Sequence, residues 1–181
     1  MSKPEYVTLV DENNVEQGRE KKLAAHQQAL CHRAFSVFVF RPSAQGLDVL
    51  MQQRHPDKYH CGGLWTNTCC GHPRPGEKTQ QAATRRLAEE LGLKMTLHYV
   101  DRFHYIAHFD NGLTENEVDH VFWSTYAGEN ICLHPEEIST VSWQSVPALQ
   151  QQIRDFPERF TPWLSQALTI ALKKENNTCE Y

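Results

Sequence analysis

From Gly71 to Leu93 the chain reads G-H-P-R-P-G-E-K-T-Q-Q-A-A-T-R-R-L-A-E-E-L-G-L, a glycine- and proline-rich loop entering a helix of acids and arginines. Carboxylates beside such a loop suit a hard cation such as Mg²⁺, which in turn clamps phosphate oxygens. Arg85 with Glu89 and Arg86 with Glu90 also suit a solvated helix, as i,i+4 pairs worth about 0.2–0.5 kcal/mol each. A second set comprises His26, His32 and His72 with Glu115 and Glu117. On a strand the two glutamates face one side. Three imidazoles and two carboxylates make an N/O set for Mn²⁺ or Zn²⁺. Spacing leaves convergence open: His26 also suits a helix surface, His32 a buried hydrogen-bonded position, and the glutamates an exposed strand face. In T-N-T-C-C-G-H-P, Cys70 precedes a glycine turn, where a thiol can act as nucleophile or proton carrier. Cys61, Cys69 and Cys70 with His60 and His72 lack the C-x₂₋₄-C spacing of a zinc knuckle.

The elements that must position these residues follow from pattern. Residues 5–10 read as a strand and 12–14 as a turn, with helical character over 19–31. Residues 34–40 and 47–54 form two strands joined by an irregular turn. The long loop 55–78 holds a short strand at L-W-T-N-T-C. The spacing predicts a helix from Thr79, as N-cap, to Leu91, with Gly92 beyond its end. Strands follow near 95–109 and 117–127 around the turn Asp110-Asn111-Gly112, then one near 139–144. Val146-Pro147 opens a helix, residues 161–174 form another, and the tail frays from about Asn176. An α+β fold results, a mixed sheet flanked by helices, with residues 1–181 as one domain. The 181 residues are 40% hydrophobic and 22% charged, which excludes disordered, collagen-like and coiled-coil classes. No apolar run approaches the length of a membrane span, and no secretory signal opens the chain, so a cytoplasmic protein with free cysteines is expected. A net charge of −4 argues against nucleic acid as a partner. No membrane association or obligate protein partner is indicated; a small molecule is the expected partner.

Gly71, Glu77, Arg85, Leu87, Glu89, Glu90, Gly92 and Leu93 match the Nudix box (G, five residues, E, seven residues, R-E-U-x-E-E-x-G-U, U apolar), with Arg86 where the box has an acid. That cation suits gripping a diphosphate better than cleaving it. W-T-N-x-x-C-G-H-P at 65–73, the altered box at 71–93 and E-N-E-V at 115–118 together resemble the type 1 isopentenyl-diphosphate isomerases, Nudix-fold enzymes of isoprenoid synthesis. The resemblance runs from about Tyr6 to Trp163. It implies interconversion of isopentenyl and dimethylallyl diphosphates by proton addition and removal through a tertiary carbocation. Cys70 and Glu117 then carry the proton transfers, with Tyr105 delivering or holding a proton nearby. His26, His32, His72, Glu115 and Glu117 hold Mn²⁺ or Zn²⁺. Glu90 holds the Mg²⁺ that bridges to the diphosphate. Lys22, Arg54, Lys58 and Arg86 bind the anion, and Trp163 faces the carbocation. Cys69 should point elsewhere. The competing expectation is a Nudix pyrophosphohydrolase of nucleotide diphosphates, and a non-catalytic metal- or nucleotide-binding module stands behind it.

Overall fold

The computed structural model describes residues 5–44 and 46–173. The sheet contains β1 (Tyr6–Val10), β2 (Glu16–Lys21), β3 (His32–Ser43), β4 (Gly46–Arg54), β5 (Trp65–Thr66), β6 (Cys69–Gly71), β7 (His98–His108), β8 (Thr114–Thr125) and β9 (Ile138–Ser145). Its helices are α1 (Lys22–Gln27), α2 (Thr79–Leu91), α3 (Val146–Asp155) and α4 (Leu164–Ala171). The expected fraying from Asn176 lies outside the described residues.

Strand β3 organises the molecule. It pairs in parallel with β8, from His32 opposite Glu117 to Phe40 opposite Thr125, and antiparallel with β1, β4 and β6. The sheet is therefore mixed, as the sequence pattern implied. Its side chains alternate faces, because successive residues of a strand point oppositely. Phe35, Val37 and Val39 enter one apolar cluster, where α2 lays Ala82, Ala83, Leu87 and Leu91 against them. Phe38 and Phe40 enter the other, beneath Leu149 of α3 and Leu164, Ala167 and Leu168 of α4. Each buried leucine or phenylalanine contributes about 1.5–3 kcal/mol. Towards the start of β3 the same face carries His32, Ala34 and Ser36 instead, and this polar end frames the site.

Two local expectations shift. The helix expected over 19–31 begins only at Lys22. Residues 16–21 pair with β1 as an exposed edge strand, because the turn before them closes a hairpin. Asp11 Oδ1 accepts from the backbone N–H groups of Asn13 and Val15, each at 2.9 Å, and so sets that turn. Helix α2 begins one residue earlier than a Thr79 cap requires. Lys78 occupies the N-cap, and Thr79 is the first helical residue. Gly92 does end it, at φ +71°, a left-handed conformation glycine adopts without strain.

Candidate active site

Glu115, Glu117 and Asp119 alternate onto one face of β8, beside His32 and Ser36 of β3. β6 adds Cys70, opposite Ser36, and His72 follows it. Helix α1 brings His26, and β7 brings Tyr105 opposite Glu117. Apart from His26 and His32, which lie fully buried behind them, these residues line a cavity of about 730 Å³ that also admits Lys22, Arg54, Lys58, Arg86, Glu90 and Trp163. Sequence spacing alone did not show that they converge.

One ligand atom from each of His26, His32, His72 and Glu117 lies within 4.8 Å of the others, a grouping able to hold a metal ion. Glu117 Oε1 is 2.8 Å from His72 Nε2 and 3.2 Å from His32 Nε2. Nδ1 of His26 donates to Lys22 O at 2.7 Å, and Nδ1 of His32 to Leu30 O at 2.8 Å. Those bonds fix the tautomers, so both Nε2 lone pairs face the site; both atoms are buried without a hydrogen-bond partner. Burial, first, and the neighbouring His32 lower the pKa of His26. Burial likewise pushes His72 down to about 3. Two unpartnered Nε2 atoms, those of His26 and His32, converging on the Glu117 carboxyl make a donor set of the kind a metal takes, so these residues fit one. Glu115 stands apart from this grouping and joins His26 and His60 in a second one.

The proton-handling groups are held in different states. Burial, only partly offset by Arg54, pushes the Cys70 thiol up to about 12, so it keeps its proton at neutral pH. Arg54 Nη1 lies 3.5 Å from the Cys70 sulfur. Burial alone would raise Glu117, yet the imidazoles of His72 and His32 outweigh it and hold the carboxyl well below its usual value. Burial and the Glu117 charge push Glu115 the other way. The Tyr105 hydroxyl lies between them, 2.6 Å from Glu117 Oε2 and 3.0 Å from Glu115 Oε2. Opposed pKa values within one carboxyl pair are the pattern of an acid–base site.

The cations sit along the cavity wall with acidic partners. Lys22 pairs with Glu5 at 3.0 Å. Arg86 reaches Glu90 at 2.5 Å and Glu137 at 3.1 Å, and Lys58 is hydrogen-bonded to Glu137. Glu90 also accepts from Gln52 Nε2, at 3.3 Å. In the box, Arg85 grips Glu77 with two bonds of 2.8 and 2.9 Å. Trp163 is buried, and its indole N–H donates to Asn67 Oδ1 at 3.0 Å. Sequence reading missed Glu137, Asp119, Asn67 and the role of His60. Asp119 carried a signal, the same alternation that pairs Glu115 with Glu117. Glu137, in a loop far along the chain, carried none.

Glu137 gives a stability prediction. Burial raises its pKa, but the Lys58 hydrogen bond and Arg86 bring it down to about 2. A depressed carboxyl stabilises the fold fully above its unfolded pKa of about 4.3, and the contribution disappears as pH falls towards the folded value. The urea midpoint of the parent should therefore exceed that of Glu137→Gln at pH 6, and the gap should close between pH 4.5 and 2. A gap independent of pH would contradict the assignment.

Residues 31–164 match the NUDIX domain family model. The chain is 42% identical over 172 residues to the isopentenyl-diphosphate delta-isomerase of Photobacterium profundum, covering 94% of this chain and 96% of the relative. It is 43% identical to that of Pectobacterium atrosepticum, covering 91% and 89%. The chain belongs to the NUDIX isopentenyl-diphosphate delta-isomerase family. The crystal structure of DR0079 from Deinococcus radiodurans shares the NUDIX fold at 18% identity, with a TM-score of 0.73 over 92% of this chain and 99% of that one. Within the family frame, Arg86 on the box helix is held by three carboxylates, Glu89, Glu90 and Glu137. Among the described residues no helix is long and apolar enough to cross a membrane. The cysteines at 31, 61, 69, 70 and 132 are free.

Proposed function

We propose that this site moves the double bond between isopentenyl and dimethylallyl diphosphates, with Cys70 as acid and Glu117 as base. One observation carries the reading: a protonated thiol and an ionised carboxylate line the same cavity, beside a row of cations. The Cys70 S–H proton forms a new C–H bond at the terminal alkene carbon, leaving positive charge on the tertiary carbon. Glu117 removes a proton from the methylene on the other side, and that electron pair closes the new double bond. The Cys70 thiolate so formed lies beside Arg54, which lowers its cost. Tyr105, whose own pKa burial and the two glutamates raise, stays protonated and donates to the carboxylates.

Trp163 faces the charge; an indole face is worth about 2 kcal/mol to a desolvated cation. Lys22, Lys58 and Arg86 bind the diphosphate, with Arg54 serving both anion and thiolate. His26, His32, His72, Glu115 and Glu117 are the residues to hold Mn²⁺ or Zn²⁺, and Glu90 to meet Mg²⁺ on the diphosphate. Such cations supply fixed positive charge that orders carboxylates and phosphate oxygens. The reading treats the chain as one domain, working as a soluble cytoplasmic enzyme without nucleic acid, membrane or obligate protein partner.

The test is proton NMR with isopentenyl diphosphate and Mg²⁺ in D₂O, following phosphate release in parallel. Dimethylallyl diphosphate carrying deuterium, with no phosphate released, is the expected result. Unchanged substrate together with phosphate release from nucleoside diphosphates would replace the isomerase by a hydrolase.

A further inference from the structure

His60 lies outside the ligand set named above, yet it is buried against it. It sits in the loop 55–64, which is tightly folded: a Cβ on Gly62 would lie 2.3 Å from Pro56 O. Its Nε2 is 2.7 Å from Glu115 Oε1. Its ring packs 5.2 Å from His26, 4.5 Å from Tyr59 and 5.6 Å from Phe109. Ligand atoms of His26, His60 and Glu115 all fall within 4.8 Å of one another.

Two separate ions do not follow from the two groupings. His26 belongs to both, and its Nδ1 is committed to Lys22 O. It has one lone pair to offer, on Nε2, and two ions cannot both take it. His60 and Glu115 therefore form a flank of one centre. Both Glu115 oxygens are engaged, Oε1 by His60 and Oε2 by the Tyr105 hydroxyl at 3.0 Å. The other His60 nitrogen, Nδ1, is buried without a hydrogen-bond partner, so Glu115 is what holds the ring by hydrogen bonding.

We propose that His60 is a positioning residue of the metal centre, donating from Nε2 to Glu115 Oε1 and keeping that carboxylate turned towards His26. The proposal rests on the metal reading above. It also ties the loop that presents Lys58 to the centre, a tie reinforced where Arg54 Nη2 donates to His60 O at 3.3 Å. Hydrogen-bond partners of ligands of this kind typically account for about 10–100-fold in metal affinity.

Mn²⁺ affinity, read by electron paramagnetic resonance against a competing chelator, tests it without reference to turnover. His60→Ala should bind Mn²⁺ about 10–100-fold more weakly. His60→Gln, whose amide N–H reaches where Nε2–H stood, should recover most of the loss. A merely space-filling role would not respond to that hydrogen bond. In a Glu115→Gln background, His60→Ala should add nothing further, because its action passes through Glu115. Equal Mn²⁺ affinity in the parent and His60→Ala, with His32→Ala losing the ion, overturns the role of His60 alone. Additive losses in the double variant overturn it equally. A parent chain that binds no Mn²⁺ removes the metal reading and this inference together.

Discussion

Cys70→Ala is expected to slow isomerisation by about 10³-fold, within the range for loss of a general acid, while Cys69→Ala leaves the rate unchanged and lowers stability by about 1 kcal/mol. The two cysteines are adjacent, and alternation along β6 sends them to opposite faces. Cys69 is fully buried among Val37, Leu50 and the α2 side chains, where sulfur acts as a small apolar filler. Cys70 lines the cavity beside Arg54 and holds its proton up to about pH 12. Alanine at position 70 removes the deliverable proton without opening the opposite core. Deuterium incorporation measured by NMR checks the rate, and urea unfolding checks the stability. A Cys70→Ala enzyme keeping more than a tenth of the parent rate would move the acid elsewhere, with Tyr105 next in line.

Local spacing made part of this site legible. The box residues fall on α2 because their pattern is helical, and Arg85 meets Glu89 as i,i+4 spacing requires. Strand alternation placed Glu115 and Glu117 on one face. It could not show that they face different histidines, Glu117 towards His32 and His72 and Glu115 towards His60, with the Tyr105 hydroxyl shared between them. That division depends on where the loop 55–64 folds. Glu137 illustrates the remainder: it reaches Lys58 and Arg86 from far along the chain, and no local pattern marks such a contact. The helix expected over 19–31 was overridden by pairing of residues 16–21 with β1, a long-range hydrogen-bond ladder that local preference does not encode.

Glu117→Gln should be still more damaging, because one carboxylate serves two tasks. As the base it must accept a proton, which an amide cannot do; that loss is worth about 10²–10⁴-fold. As a ligand it must present negative charge between His32 and His72, and the amide removes the charge that the buried imidazoles face. The amide also introduces an N–H₂ group, which competes with the Tyr105 hydroxyl or with an imidazole lone pair for the position each oxygen held. The two tasks separate experimentally. Raising Mn²⁺ until the variant is saturated restores whatever was lost through weak metal binding, whereas the missing proton acceptor stays missing. A residual deficit of at least about 10²-fold at saturation assigns the base to Glu117. Full recovery at saturating metal would leave Glu117 a ligand only, and Glu115, with its pKa raised and Tyr105 within 3.0 Å, would become the group to test for proton transfer.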